Sequence, residues 1–147
     1  MGRPTQELID AMIMQESGGK TKARGSLDEV GLAQIRPSTA IKPGYGVKSM
    51  FPELESQIGK GKKYATANEA YADNKEMVDA RLEEGDTSEN FMKDLLTGYR
   101  KNIDTDAGAI SAYNLGPTGL KNIKNPADFK YFTEVASKMK PVEYDEA

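Results

Sequence analysis

Leu8-Ile9-Asp10-Ala11-Met12-Ile13-Met14-Gln15-Glu16-Ser17 is the stretch around which the chain is organised. Its apolar residues Leu8, Ile9, Met12 and Ile13 fall on one face of an α-helix. Glu16 comes four residues after Met12 and continues that stripe. A carboxylate there points toward the interior from the end of a helix. Partial burial disfavours its charged form, and so does the negative end of the helix dipole. Both raise its pKa, which suits a general acid working near neutral pH. Taken alone, the fragment also reads as a solvated helix end. The predicted helix covers 5–15, with Pro4 near its start and Ser17-Gly18-Gly19 as its stop.

Moving outward, Lys20, Lys22 and Arg24 form a basic loop cluster, read as solvated surface or as a contact for an anionic polymer. Val30 to Ile35 is an apolar run too short to assign as strand or helix. It contains Gly31-Leu32-Ala33-Gln34-Ile35, followed by Arg36-Pro37-Ser38-Thr39-Ala40, a turn into a helical start. Residues 41–66 are rich in Gly, Lys and Pro and read as a long irregular insertion with at most one short helix near 52–58. Gly59-Lys60-Gly61-Lys62-Lys63 lacks the spacing of a phosphate-binding loop. A helix is predicted over 68–82, with Ala70, Met77, Val78 and Leu82 inward. Asp86 or Thr87 caps the next, whose Phe91, Met92, Leu95, Leu96 and Tyr99 make a core face. Thr105 or Asp104 caps a small-residue helix over 107–112. It ends in Tyr113-Asn114-Leu115-Gly116-Pro117, a turn presenting Tyr113 and Asn114. Asn125-Pro126 starts the last helix, with Phe129, Phe132, Val135, Ala136 and Met139 inward and Pro141 as its stop. The acidic tail, 141–147, is expected to fray. The pattern predicts a single, mainly α domain of about six helices, with no internal repeat.

Composition narrows the chemistry. The chain has 147 residues, enough for one domain with a core, and a formal net charge of -3, which disfavours nonspecific nucleic-acid binding. No run is long enough for a membrane span, and the N-terminus lacks the apolar core of a secretion signal. Cysteine and histidine are both absent. That removes disulfides, thiolate nucleophiles, Ser-His-Asp triads and zinc sites of the usual kind. An enzyme built from this sequence runs on carboxylates, Lys, Tyr, hydroxyls or backbone. Glycoside cleavage is the reaction class that most often needs nothing else. No metal and no cofactor is expected.

Three segments in order carry a resemblance: Glu16-Ser17, then Gly31-Leu32-Ala33-Gln34-Ile35-Arg36-Pro37-Ser38-Thr39-Ala40, then Ala112-Tyr113-Asn114-Leu115-Gly116-Pro117. Together they resemble the lytic transglycosylase SLT family, with its E-S pair, G-L-M-Q-I-x-P-x-T-A stretch and A-Y-N-x-G-P. Phe91-Met92…Leu95-Leu96 and Tyr131-Phe132…Val135 also fit, so the likeness runs from about Leu8 to Met139. The chain departs from the pattern at Gly25-Ser26-Leu27-Asp28-Glu29-Val30, where Gly25 stands at the family's serine position. Ala33 replaces the usual Met, making that part of the expected sugar-binding wall smaller, and the insertion is longer than the family's minimal form.

The resemblance implies a lysozyme-like fold around a glycan-binding cleft, spanning 1–147 as one catalytic domain. It implies cleavage of peptidoglycan between N-acetylmuramic acid and N-acetylglucosamine, leaving 1,6-anhydromuramoyl ends. Glu16 is the implied general acid and base. Ser17, Gln34, Tyr113 and Asn114 are the implied substrate-binding residues. The divergence suggests a bacteriophage member, carried in a virion and acting on the host cell wall, with glycan strands and other virion proteins as partners. Asp28 or Glu29 is a candidate second carboxylate for a hydrolytic, lysozyme-type reaction. A virion structural protein or glycan-binding module that kept the fold is the non-enzymatic alternative.

Overall fold

The computed structural model describes residues 3–139. The expected stop at Pro141 and the frayed tail lie outside those residues. The described residues are mainly helical: α1 Gln6–Ser17, α2 Pro37–Ile41, α3 Pro52–Glu55, α4 Ala67–Asp73, α5 Lys75–Leu82, α6 Gly85–Asn102, α7 Asp106–Leu120 and α8 Lys130–Met139. The last helix, expected from Asn125-Pro126, starts instead at Lys130: Asn125-Pro126 opens only a 3₁₀ turn, Pro126–Asp128, which ends at the extended Phe129. No strand forms among the described residues, only isolated bridges. None of their helices is long and apolar enough to cross a membrane.

α6 is the central packing element. Phe91, Met92, Leu95, Leu96 and Tyr99 are all buried, as the i, i+4 spacing predicts. Each such side chain contributes about 1.5–3 kcal/mol when fully buried. α7 and α1 pack on α6, and α8 closes over α1 and α7. On the other side α5 rests on α6, while α2 contacts α3, α4 and α5. α1 begins where the Thr5 hydroxyl accepts the Leu8 N–H at 3.2 Å, a side-chain cap for an otherwise orphan donor. It ends at Gly18, whose N–H bonds the Ile13 and Met14 carbonyls.

Three further local expectations change. The helix expected over 68–82 is two helices broken at Asn74 (φ -133°, ψ 26°). The Asn74 amide donates to the Ala70 carbonyl at 2.9 Å and to the Tyr64 hydroxyl at 3.3 Å. This competes with backbone bonding of the kind that carries a helix onward. The break re-aims α5, so Val78 and Leu82 are buried while Met77 is 48 % exposed rather than inward. α6 starts at Gly85 with Glu84 at its N-cap and no side-chain cap bond, so neither Asp86 nor Thr87 caps it. α7 runs past Ala112 to Leu120, interrupted at Gly116 (φ 78°, ψ 151°). Pro117 then starts the following turn, where a missing N–H costs nothing. Thr105 does cap α7, accepting the Gly108 N–H at 3.0 Å.

The 41–66 segment is irregular around α3, but it is anchored rather than loose. Phe51, Leu54, Ile58 and Tyr64 join the core, and Tyr45 meets Tyr99 edge-on with ring centroids 5.4 Å apart.

Candidate active site

A small cleft, with a cavity volume of about 80 Å³, lies where four segments converge. The end of α1 brings Glu16, and the turn before α2 brings Glu29, Gln34 and Arg36. α6 contributes Leu95 and Tyr99, and α7 contributes Tyr113 and Asn114 just ahead of the Gly116 interruption. Asn114 is exposed. Of the expected site residues, Glu16, Gln34, Tyr113 and Asn114 thus share one cleft.

Glu16 is half-buried at the end of α1, and the Tyr131 hydroxyl of α8 donates to its Oε2 at 2.5 Å. No cationic side chain pairs with it among the described residues. Enclosure of the carboxyl lifts its pKa from the ordinary 4.5 to about 7, against the pull of the Tyr131 bond and with help from the negative charge of Glu29. Desolvation acts on the charged form, and a like charge acts in the same direction. Burial raises the Tyr131 and Tyr113 hydroxyls too, and the Glu16 charge adds to both. Both phenols therefore stay protonated and act as donors. Tyr131 is the residue that motif reasoning did not pick as part of the site. Its signal was present: Tyr131 and Val135 lie four apart on the buried face of α8, and a tyrosine buried on a helix face needs a partner for its hydroxyl.

The turn carrying Gln34 is tightly wound. Val30 and Ile35 exchange backbone bonds at 3.0 and 3.3 Å, and Arg24 bridges to Val30. Gly31 holds φ 86°, and a Cβ there would lie 2.3 Å from the Leu82 carbonyl oxygen. Only glycine tolerates both the dihedral and the contact. Gln34 also has positive φ, 50°, stabilised by its side-chain amide donating to the Gly31 carbonyl at 2.9 Å. Tyr113 ties α7 to this turn by donating to the Ala33 carbonyl at 2.6 Å. The Ala33 side chain itself is fully buried, so it packs in the core instead of forming a sugar-binding wall.

Ser17 has a different position from the other expected residues. Its hydroxyl donates to the Leu32 carbonyl at 2.7 Å and accepts the Gly19 N–H at 3.0 Å. It clamps the end of α1 to the turn and does not line the cleft. Asp28 sits exposed at the turn's tip with φ 65°, whereas Glu29 faces the cleft. Gly25, at the position where the resemblance expects a serine, faces the Glu29 carboxylate: a Cβ there would come within 2.2 Å of Glu29 Oε1. In the basic cluster, Arg24 pairs with Glu83 at 2.6 Å. Among the described residues no group of three acidic, His or Cys side chains is arranged to hold a metal.

The geometry offers a carboxyl whose pKa is raised to about 7, one phenol donor, Tyr131, behind it and amides at its rim. No protein-family model matches the chain, and no solved structure is significantly similar to it.

Proposed function

We propose that the chain is a peptidoglycan lytic transglycosylase of lysozyme-like fold, with Glu16 as its general acid and then base. One observation carries the reading: a carboxyl in a cleft, bonded by Tyr131 at 2.5 Å, unpaired with any cation among the described residues and lifted to about 7. An ordinary carboxyl is almost fully ionised at neutral pH and has no proton to give. This one is close to half-protonated, near the optimum for an acid that must reverse its role.

Glu16 transfers its proton to the glycosidic oxygen as the bond to the muramoyl anomeric carbon breaks. The Tyr131 hydroxyl stabilises the carboxylate left behind, because a donor favours the charged form. Glu16 then takes the proton of the muramoyl 6-hydroxyl, whose oxygen closes on the anomeric carbon to give a 1,6-anhydro end. No water is consumed. Gln34 and Asn114 are suited to hold the N-acetyl groups and hydroxyls of the strand through their amides. Tyr113 fixes the turn against α7 so that these groups keep their spacing. The resemblance adds the expected setting, a phage virion opening the host wall.

The test is digestion of purified cell walls with the parent chain and with Glu16→Gln, followed by mass spectrometry of the fragments. Anhydromuramoyl ends from the parent and their loss in the variant are expected. A variant that clears walls as well as the parent sinks the role of Glu16. It would leave the glycan-binding or structural alternative standing.

A further inference from the structure

The transglycosylase reaction uses one carboxylate, yet this cleft contains two. Glu29 lines it together with Glu16, and its position is built into the turn. The Leu27 N–H donates to Glu29 Oε1 at 2.8 Å, and the Gly25 N–H bonds the Glu29 carbonyl at 2.9 Å. The carboxylate occupies space that any side chain at Gly25 would take, since a Cβ there would lie 2.2 Å from Oε1 and 2.7 Å from Gln34 Oε1. Glu29 is half-buried, so water reaches it. No cation pairs with it among the described residues, and Arg36 is the cationic residue that shares the cleft. The charge of Glu29 is also felt at Glu16, so the two groups act on the same space.

We propose that Glu29 is a second catalytic carboxylate, the base that deprotonates a water molecule and diverts part of the glycan scission into hydrolysis. The proposal rests on the acid role of Glu16 given above. In this branch Glu16 gives its proton to the glycosidic oxygen, and the bond between that oxygen and the anomeric carbon breaks, its electron pair leaving with the oxygen. The water oxygen bonds to the anomeric carbon, and the released proton goes to Glu29. One water is consumed, and the product is a reducing end instead of an anhydro end. Proton exchange with solvent then restores both carboxyls. The two branches differ only in which oxygen attacks, the substrate's own 6-hydroxyl or water.

The experiment counts reducing and anhydromuramoyl ends by mass spectrometry after borohydride reduction, for the parent, Glu29→Gln and Gly25→Ala. The parent should give both kinds of end. In Glu29→Gln the ratio of reducing to anhydro ends should fall on the order of 100-fold, the size of a lost general base. Gly25→Ala keeps Glu29 but fills its seat, and should lower the ratio in the same direction. Far-UV circular dichroism checks that each variant is folded; if one is not, the other and the parent decide. Anhydro ends alone from the parent, or an unchanged ratio in the folded variants, overturn the proposal and leave the transglycosylase reading intact. A parent that cuts no strands overturns both.

Discussion

Two tyrosine–carboxylate pairs in this molecule have the same donor and acceptor and opposite electrostatic surroundings. Tyr131 donates to Glu16 at 2.5 Å, and Tyr71 donates to Asp79 at 2.8 Å. At Asp79 the second oxygen receives the Lys75 ammonium at 2.7 Å, and Lys75 also donates to Tyr71 at 3.0 Å. The bond to Asp79 is the main reason that Lys75 holds its proton more tightly than usual. The triad is closed: each charge has its counter-charge, and it lies outside the cleft. At Glu16 no such cation pairs among the described residues, and the nearby charge is another carboxylate, Glu29. A tyrosine bond therefore does not by itself make an acid. The missing counter-charge does, because desolvation then goes uncompensated.

Glu16→Gln tests the comparison most severely. Strand cleavage should fall by on the order of 10³-fold, read as the rate of wall clearance. Stability should move the other way. The folded pKa of Glu16 lies above its ordinary value, so its carboxyl costs nothing below about pH 4.5. That cost grows as pH rises toward 7 and is complete above it. The full linkage corresponds to about 3 kcal/mol, and partial exposure reduces it to about 2 kcal/mol. Denaturant unfolding should find variant and parent equal at pH 4 and the variant more stable at pH 9.

Gly31→Ala disturbs the physical link between the two regions, since Gly31 packs on the Leu82 carbonyl at the end of the helix that carries Asp79. The positive φ and the 2.3 Å contact should together cost about 2–3 kcal/mol, read in the unfolding midpoint. A smaller effect should appear in the pH profile. The proposed mechanism requires protonated Glu16, so kcat/KM should be retained below about pH 7 and decline above it. Tyr131→Phe removes a bond that favours the carboxylate and should move that decline to higher pH. Glu29→Gln removes a like charge and should move it to lower pH. Shifts in the same direction would break the electrostatic account. Lys75→Met should have the smallest effect, a modest drop in Tm with unchanged cleavage products.

Local pattern made α1 and the buried face of α6 legible, because helical periodicity is a property of neighbours a few residues apart. On the last helix it picked Phe129, Phe132, Ala136 and Met139 beside Val135, whereas Tyr131 and Val135 are the buried ones. Glu16 stood out for the same reason, as a carboxylate continuing an apolar stripe. The break at Asn74 was not read from the pattern: its side-chain amide bonds both the Ala70 carbonyl, four residues back, and the Tyr64 hydroxyl, ten residues away. Nor could the sequence separate Glu29 from Asp28. They are adjacent in the chain, and only the winding of the turn sends one to the cleft and the other to solvent.

The sequence alone determined the chemical repertoire. With no histidine and no cysteine, any proton transfer here falls mainly to carboxylates and phenols, and the order of the three motifs pointed to one embedded acid. Only the tertiary structure decided what surrounds that acid. Tyr131 reaches it across 115 positions of sequence, Ser17 turns away to hold the Leu32 carbonyl, and the Gly25 niche admits a second carboxylate. The reason is physical: burial and charge–charge distance fix a pKa, and both are set by segments far apart in the chain that fold together.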